Sequence, residues 1–320
     1  MLRGRHNNLH PLLKVAEWVL IMIVSMAAVS GIWMLLPIDH ADTGALLLMQ
    51  ALQALGLFIV PAMVVWYLWD SGFRIQDSGF SIQKSEVRRQ RLDWRLVLLS
   101  VGMMVTAIPL INCLVAWNES IRLPESMAGI EALMQQMEQQ AEQVLERFMT
   151  YKDGVWWMLV VNLVVLAVLP GIGEEMAFRG VLQNTIVESR KSKVESQEPR
   201  AGWVHVAVWV TAAVFSFVHF QFYGFIPRLL MGALLGYVFA WSGRLGYSMI
   251  MHVTNNALSV IVFYMGTYVW HLPQAEIDAI GTGQTWWLTA VCTPVMVALI
   301  WLFKAKLKSM NKSYLKIDDC

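Results

Sequence analysis

The chain has 320 residues, of which 57% are hydrophobic and only 15% are charged. Soluble domains carry about 25% charged residues, so this composition argues against an ordinary soluble enzyme and favours a membrane protein. The formal net charge of +1 gives no reason to expect a nucleic acid as a partner. Cys113 and Cys292 lie in apolar segments and Cys320 is the last residue, a distribution that does not indicate a disulfide framework.

Apolar segments run almost from end to end, and eight of them are predicted to cross the bilayer. Backbone groups in lipid must bond within their own segment, so these spans are predicted as helices. The predicted fold class is therefore all-α, a polytopic membrane helix bundle that forms a single domain over residues 1–320. The predicted spans are approximately Val15–Leu36, Leu46–Trp69, Leu96–Trp117, Val155–Leu169 with an apolar continuation, Trp203–Phe222, Phe225–Trp241, Leu245–Tyr264 and Trp286–Phe303.

The basic residues predict the orientation of this bundle. With both termini in the cytoplasm, 19 of the 24 Lys and Arg fall on cytoplasmic segments. Cytoplasmic loops are enriched in these two residues. One span more or fewer in the middle of the chain would remove this uneven distribution of Lys and Arg between the two sides of the membrane. The predicted location is the cytoplasmic (inner) membrane of a bacterium, with the lipid bilayer as a partner.

Two polar segments interrupt the spans. Residues 118–153 are predicted to lie outside the cytoplasm, and Glu125–Thr150 within them has the apolar spacing of an amphipathic surface helix. This helix is interpreted either as a connector that packs on the bundle or as a lid that docks substrate. Residues 188–200 are predicted from their composition to form a cytoplasmic loop.

Adjacent carboxylates follow the fourth apolar run, where charged groups are expensive and mark function by default. Glu175 and Arg179 are four residues apart and are predicted to pair on one helix face. Glu174 points about 100° away and is left free as a candidate general base. The residues before the pair, Pro170, Gly171 and Gly173, predict a break or bend in the helix. The alternative is a charged turn at the cytoplasmic edge.

Two further motifs place polar side chains in later spans. Phe215 and His219 share a face of the fifth span, and His252 and Asn256 share a face of the seventh. Taken alone, either histidine can be interpreted as a side chain hydrogen-bonded to a neighbouring helix. His205 is interpreted in this way. A carboxylate, two histidines and an amide on three spans together predict a site that activates water and holds an oxyanion.

The three motifs, EExxxR, FxxxH and HxxxN in this order, resemble those of the CAAX prenyl protease and bacteriocin-processing family of intramembrane endopeptidases. The resemblance covers about residues 155–264, which we take as the catalytic core. It implies that Glu174 and His219 activate water and that His252 and Asn256 form an oxyanion hole. Glu175 and Arg179, with Phe215, would then support the site. The implied partner is a peptide or protein substrate at the membrane.

The family has been discussed both as metalloproteases and as metal-independent glutamate proteases. Asparagine is a poor zinc ligand and the sequence lacks HExxH, so a metal-free reaction without cofactors is predicted, with a divalent metal as the alternative. The missing HExxH also argues against a site-two zinc protease. The absence of a GxSG turn argues against a rhomboid protease, and the absence of two embedded aspartates against a presenilin-type protease. The remaining alternatives are a membrane scaffold or bacteriocin self-immunity protein of the same fold, and a transporter.

One geometric problem arises from straight helices that rise 1.5 Å per residue. Glu174 would lie near the cytoplasmic edge, with His252 about 10 Å and His219 about 24 Å from that side. Two solutions remain open. Either Gly180–Val187 is part of the embedded helix, or the fifth helix begins further into the cytoplasm.

Overall fold

The structure is a computed structural model, and it describes residues 3–40, 42–69, 92–150, 156–189 and 201–315. Within these ranges the chain is helical and forms no strand, as predicted for the all-α class. The predicted cytoplasmic loop 188–200 lies outside the described residues except for its first two. The helices are α1 Pro11–Leu35, α2 Thr43–Trp69, α3 Trp94–Glu119, α4 Ala128–Met149, α5 Trp156–Glu188, α6 Ala201–Phe217, α7 Phe225–Ser242, α8 Leu245–Val269, α9 Gln274–Asp278 and α10 Trp286–Leu315.

Seven helices of the described chain are long and apolar enough to cross a membrane, which confirms a polytopic helical bundle. They are α1, α2, α3, α5, α7, α8 and α10, the last over Gly283–Met310 by this measure. The eighth predicted span corresponds to α6, a shorter apolar helix. Single turns of 3-10 helix over Glu125–Met127 and Gly283–Thr285 lead into α4 and α10.

Three of the long helices contain wide π-helical turns. These turns are Ala54–Ile59 in α2, Leu163–Val168 and Met176–Gln183 in α5, and Met265–Val269 in α8. A π turn keeps every backbone group bonded while it shifts the faces of the helix, and such turns are frequent at functional sites. The eight-residue turn Met176–Gln183 begins directly after the paired glutamates.

Described basic residues gather at one end of the bundle. Lys14 Nζ lies 3.2 Å from Glu188 Oε2, joining the start of α1 to the end of α5. Lys304 lies 4.7 Å above the Trp241 ring, near the end of α7. This grouping agrees with the predicted arrangement of the spans, whereas the side of the membrane that this end faces stays a prediction.

The predicted amphipathic helix forms as α4 and docks at the opposite end. Asn162 Nδ2 donates to the Phe148 carbonyl over 2.8 Å, and Tyr268 Oη donates to the Met149 carbonyl over 3.1 Å. These bonds tie the last turn of α4 to α5 and α8. Its middle turns keep apolar side chains exposed, among them Leu133 at 56%, so α4 combines a docked end with an apolar surface.

Candidate active site

Glu174 lies near the middle of α5 rather than at its edge. The helix runs without interruption over the 33 residues Trp156–Glu188, and Gly180–Val187 is part of it. Glu174 therefore lies 14 residues, or about 21 Å, from the end of α5 at Glu188. This distance is close to the 24 Å expected for His219, as the first of the two solutions for the straight-helix problem requires.

The helix does not break at Pro170, Gly171 and Gly173, so this part of the prediction is wrong. Leu169–Glu175 is continuous α-helix that follows directly on a π turn. The glycines serve the packing of the helices instead. A Cβ atom on Gly171 would lie 2.9 Å from the backbone nitrogen of Val253 in α8. The two backbones therefore touch where Val253 follows His252.

The predicted ion pair between Glu175 and Arg179 is confirmed. Arg179 Nη1 donates to Glu175 Oε1 over 2.6 Å, and neither side chain is exposed. Arg179 Nη2 donates to the Gly232 carbonyl over 2.8 Å, and the guanidinium lies 4.7 Å above the Phe215 ring. Arg179 thus links α5 to α6 and α7 through contacts that exclude water.

His252 lies between the two glutamates. Its Nδ1 is 2.9 Å from Glu175 Oε1 and its Nε2 is 3.7 Å from Glu174 Oε2. An ionised carboxylate only accepts hydrogen bonds, so Nδ1 of His252 carries the hydrogen in the first contact. The bond to Glu175 therefore orients the imidazole and turns Nε2 towards Glu174.

His219 lies in a turn, which corrects the prediction that it is deep in the fifth helix. Helix α6 ends at Phe217, and Phe220 has a left-handed φ of 52° that cannot continue the helix. His219 Nδ1 donates to the Phe215 carbonyl over 2.7 Å, one of the carbonyls left free at a helix end. If the ring is neutral, Nε2 then bears the lone pair, and it lies 3.9 Å from Glu174 Oε2.

A neighbouring helix holds this turn in place. Asn118 Nδ2 in α3 donates to the Phe222 carbonyl over 2.6 Å, and Ser216 Oγ donates to the Phe225 carbonyl over 2.7 Å. The Phe215 ring packs edge-on against His219, with the ring centroids 5.0 Å apart. Contacts from α3 and α7 therefore position a residue that α6 itself does not reach.

Glu174 Oε2 is the point where these residues meet. It lies 3.7 Å from His252 Nε2 and 3.9 Å from His219 Nε2, and both distances are longer than a hydrogen bond. A gap of this size between polar atoms suits one bridging water about 2.8 Å from each. Among the described residues, the Glu174 carboxylate makes no hydrogen bond of its own, which agrees with its predicted freedom.

Asn256 lies one helical turn beyond His252 on the same face of α8 and is half-buried. Its Oδ1 accepts from Asn255 Nδ2 over 3.2 Å. In the described part of the chain no hydrogen bond joins Asn256 to Glu174 or the histidines. His205 is engaged elsewhere, with Nδ1 lying 2.7 Å from the Tyr237 hydroxyl, as expected for a histidine bonded to a neighbouring helix.

Comparison with known families places this cluster. Residues 156–258 match the family model described as Rce1-like, type II CAAX prenyl endopeptidase. This stretch, the Rce1-like domain, is similar to that family over about a third of the chain. The match contains all three motifs and confirms the resemblance drawn from them. No curated protein and no solved structure gives a significant match.

The Rce1-like domain also contains a residue to which the motifs gave no role. Arg228, in the first turn of α7, acts electrostatically on Glu174 and on His219. In the sequence, Arg228 lies within the predicted span Phe225–Trp241. An embedded charge is a functional candidate by itself, even where it belongs to no motif.

A metal ion finds few ligands at the Glu174 cluster. Among the described residues, no group of three or more His, Cys, Asp or Glu side chains is arranged to hold one. The neighbours of Glu174 are two imidazoles, a paired carboxylate and arginines, and arginine repels cations. The described residues of this cluster are therefore not arranged as a metal centre, and we assign no step to a metal.

Gly171→Ala is expected to lower both stability and activity of the Rce1-like domain. The added methyl would meet the Val253 backbone at 2.9 Å, so α8 must shift and carry His252 away from Glu174. Overpacking of this kind costs about 1–3 kcal/mol. Thermal unfolding and peptide cleavage in detergent would measure both effects. Gly202→Ala, which meets nothing within 4 Å, is the control. Equal behaviour of the two variants would contradict the proposed backbone contact.

Proposed function

We propose that the protein is an intramembrane endopeptidase that cleaves a peptide bond near the end of a membrane-associated peptide or protein. Glu174 and His219 activate the attacking water, and His252 and Asn256 stabilise the oxyanion. The observation that carries the proposal is the convergence on Glu174 Oε2 of two imidazole nitrogens from different segments, at 3.7 and 3.9 Å. The match to an endopeptidase family supports the same reaction class.

The charges of the cluster support a single mobile proton. When both glutamates are ionised, they and Arg179 sum to one negative charge, which is costly away from water and which the more distant Arg228 offsets only in part. In the proposed reaction one further proton is held on His252. With the proton on His252, both ring nitrogens donate and Glu174 is free to act as a base.

The proposed reaction begins with a water bonded to Glu174 Oε2 and His219 Nε2. Glu174 takes one proton from the water as the hydroxide adds to the carbonyl carbon of the scissile bond. The carbonyl oxygen becomes negative and accepts hydrogen bonds from protonated His252 Nε2 and from Asn256 Nδ2. The C–N bond then breaks, and the proton held by Glu174 passes to the departing amine, directly or through His219.

Glu175 and Arg179 act as positioning residues in this proposal. The Glu175 carboxylate receives both Arg179 Nη1 and His252 Nδ1 on the same oxygen, Oε1. It therefore fixes the orientation of the His252 ring. Phe215 supports the site twice, through its carbonyl to His219 and through its ring beneath Arg179.

The proposal is tested by comparing peptide ends in membranes that contain the wild-type protein or Glu174→Ala. A protease produces new N- or C-terminal ends that are absent with the variant, and the same synthetic peptide is then cleaved by purified protein. If no end differs although both proteins are present at equal levels, the protein is instead a scaffold or self-immunity protein of this fold.

A further inference from the structure

A second polar cluster lies beside the candidate active site, where the turn after α6 meets α4. Arg228 Nη2 donates to Gln221 Oε1 over 2.7 Å, and Gln221 follows His219 by two residues. Glu138 of α4 interacts electrostatically with Arg228 and lies beside the backbone of Tyr223. The cluster therefore joins the docked helix α4 to the turn that holds His219.

Three atoms of this cluster are buried and have no hydrogen-bond partner among the described residues. They are Arg228 Nη1, Glu138 Oε2 and the hydroxyl oxygen of Tyr223. Buried polar atoms are nearly always paired in native proteins, so each such atom needs an explanation. Two of the three, Arg228 Nη1 and the Tyr223 hydroxyl, are donors, so this part of the molecule offers donor hydrogens that an acceptor group could bond.

Glu138 is an incomplete counter-ion for Arg228. Burial raises the pKa of the Glu138 carboxyl above its ordinary value, although the charge of Arg228 lowers it. Within the described part of the chain, no hydrogen bond and no ion pair within 4 Å joins the side chains of Glu138 and Arg228. Among the described residues, Arg228 therefore has no carboxylate at ion-pair distance, and its Nη1 is left without a hydrogen-bond acceptor.

We propose that Arg228 binds a carboxylate group of the peptide substrate and so determines which peptides are cleaved. Guanidinium groups bind carboxylates through two parallel hydrogen bonds, which give direction as well as strength. The bound carboxylate lies on the His219 side of Glu174. The length of substrate between this carboxylate and the scissile bond then determines which peptide bond lies next to the attacking water. This assignment rests on the proposed function.

The carboxylate has two sources, a free C-terminus or an acidic side chain, and three probes separate them. The probes are palmitoyl-Gly-Ala-Ala with a free C-terminus, its C-terminal amide, and palmitoyl-Gly-Asp-Ala amide. Binding is measured with Glu174→Gln protein in nanodiscs, so that no turnover is needed. We expect at least one carboxylate probe to bind about 10- to 100-fold more tightly than the uncharged amide, as for other charge-assisted hydrogen bonds.

Two substitutions, each made in the Glu174→Gln protein, test the role of Arg228, and they are expected to change carboxylate binding in opposite directions. Arg228→Gln is expected to reduce the preference for carboxylate to about onefold. Glu138→Gln removes the competing carboxylate and is expected to tighten carboxylate binding several-fold, a gain that misfolding does not produce. The inference is overturned if the preference is absent in the parent protein, or if it survives Arg228→Gln. Probe binding without any peptide cleavage by the wild-type protein would instead overturn the proposed function alone.

Discussion

Glu174→Gln is expected to lower kcat for peptide cleavage by about 10²- to 10⁴-fold, the contribution of a general base. Glutamine keeps the size of glutamate but cannot take a proton from water. The Glu174 carboxylate makes no hydrogen bond among the described residues, so the substitution leaves no partner unpaired. Thermal unfolding of the purified protein is therefore expected at an unchanged or slightly higher temperature. His219→Ala is expected to reduce kcat in the same way.

The matched control for this variant is Glu188→Gln on the same helix. Glu188 is at the end of α5 and pairs with Lys14 over 3.2 Å, far from the histidines. Its substitution is expected to leave kcat unchanged. Full activity of Glu174→Gln or His219→Ala on a confirmed substrate would refute the roles assigned to them. Turnover is expected to persist in EDTA, and a loss that zinc restores would require a metal mechanism.

Arg179→Ala is expected to destabilise the protein by about 3–5 kcal/mol, the usual effect of breaking a buried ion pair. The variant leaves Glu175 ionised with no arginine in a site whose side chains are fully buried. It also removes the bond to the Gly232 carbonyl that joins α5 to α7. The expected result is a lower folded yield and a lower unfolding temperature, measured by fluorescence-detected size exclusion across a temperature series.

Two further variants separate the charge from the packing. Arg122→Ala removes an exposed arginine 3.5 Å from Glu131 and is expected to cost about 0–1 kcal/mol. Replacing both members of the buried pair, Glu175→Leu with Arg179→Met, is expected to recover much of the lost stability but no activity, because His252 also loses its acceptor. Unchanged insertion and stability of Arg179→Ala would contradict the pairing.

The features that depend on local spacing could be predicted from the sequence. Glu175 and Arg179 are four residues apart, and this spacing alone brings them together on a helix. The eight apolar segments predicted a helical bundle in the same way. The order of the three motifs also grouped Glu174 with His219 and His252. The structure places Nε2 of each histidine within 4 Å of Glu174 Oε2.

The features that depend on contacts between distant segments could not be predicted. Helix α6 ends five residues earlier than the predicted span, and Asn118 of α3 holds the turn that follows. Gly171 has the sequence signature of a helix break, but its role depends on where α8 crosses α5. The π turns shift the faces of their helices, and no residue type in the sequence predicts where they occur. Arg228 was visible as an embedded charge, yet its unpaired Nη1 depends on the folded surroundings.

The side chains of the Glu174 cluster differ in exposure from one side of the cluster to the other. His219 is 28% exposed and Glu174 11%, whereas His252 is 4% exposed and Glu175 and Arg179 are fully covered. A molecule arriving from outside the bundle therefore meets the turn residue first and the helix-bound imidazole last. In the proposed reaction the hydrolytic water and the peptide would share this approach, so a peptide that fills it would also limit the entry of further water.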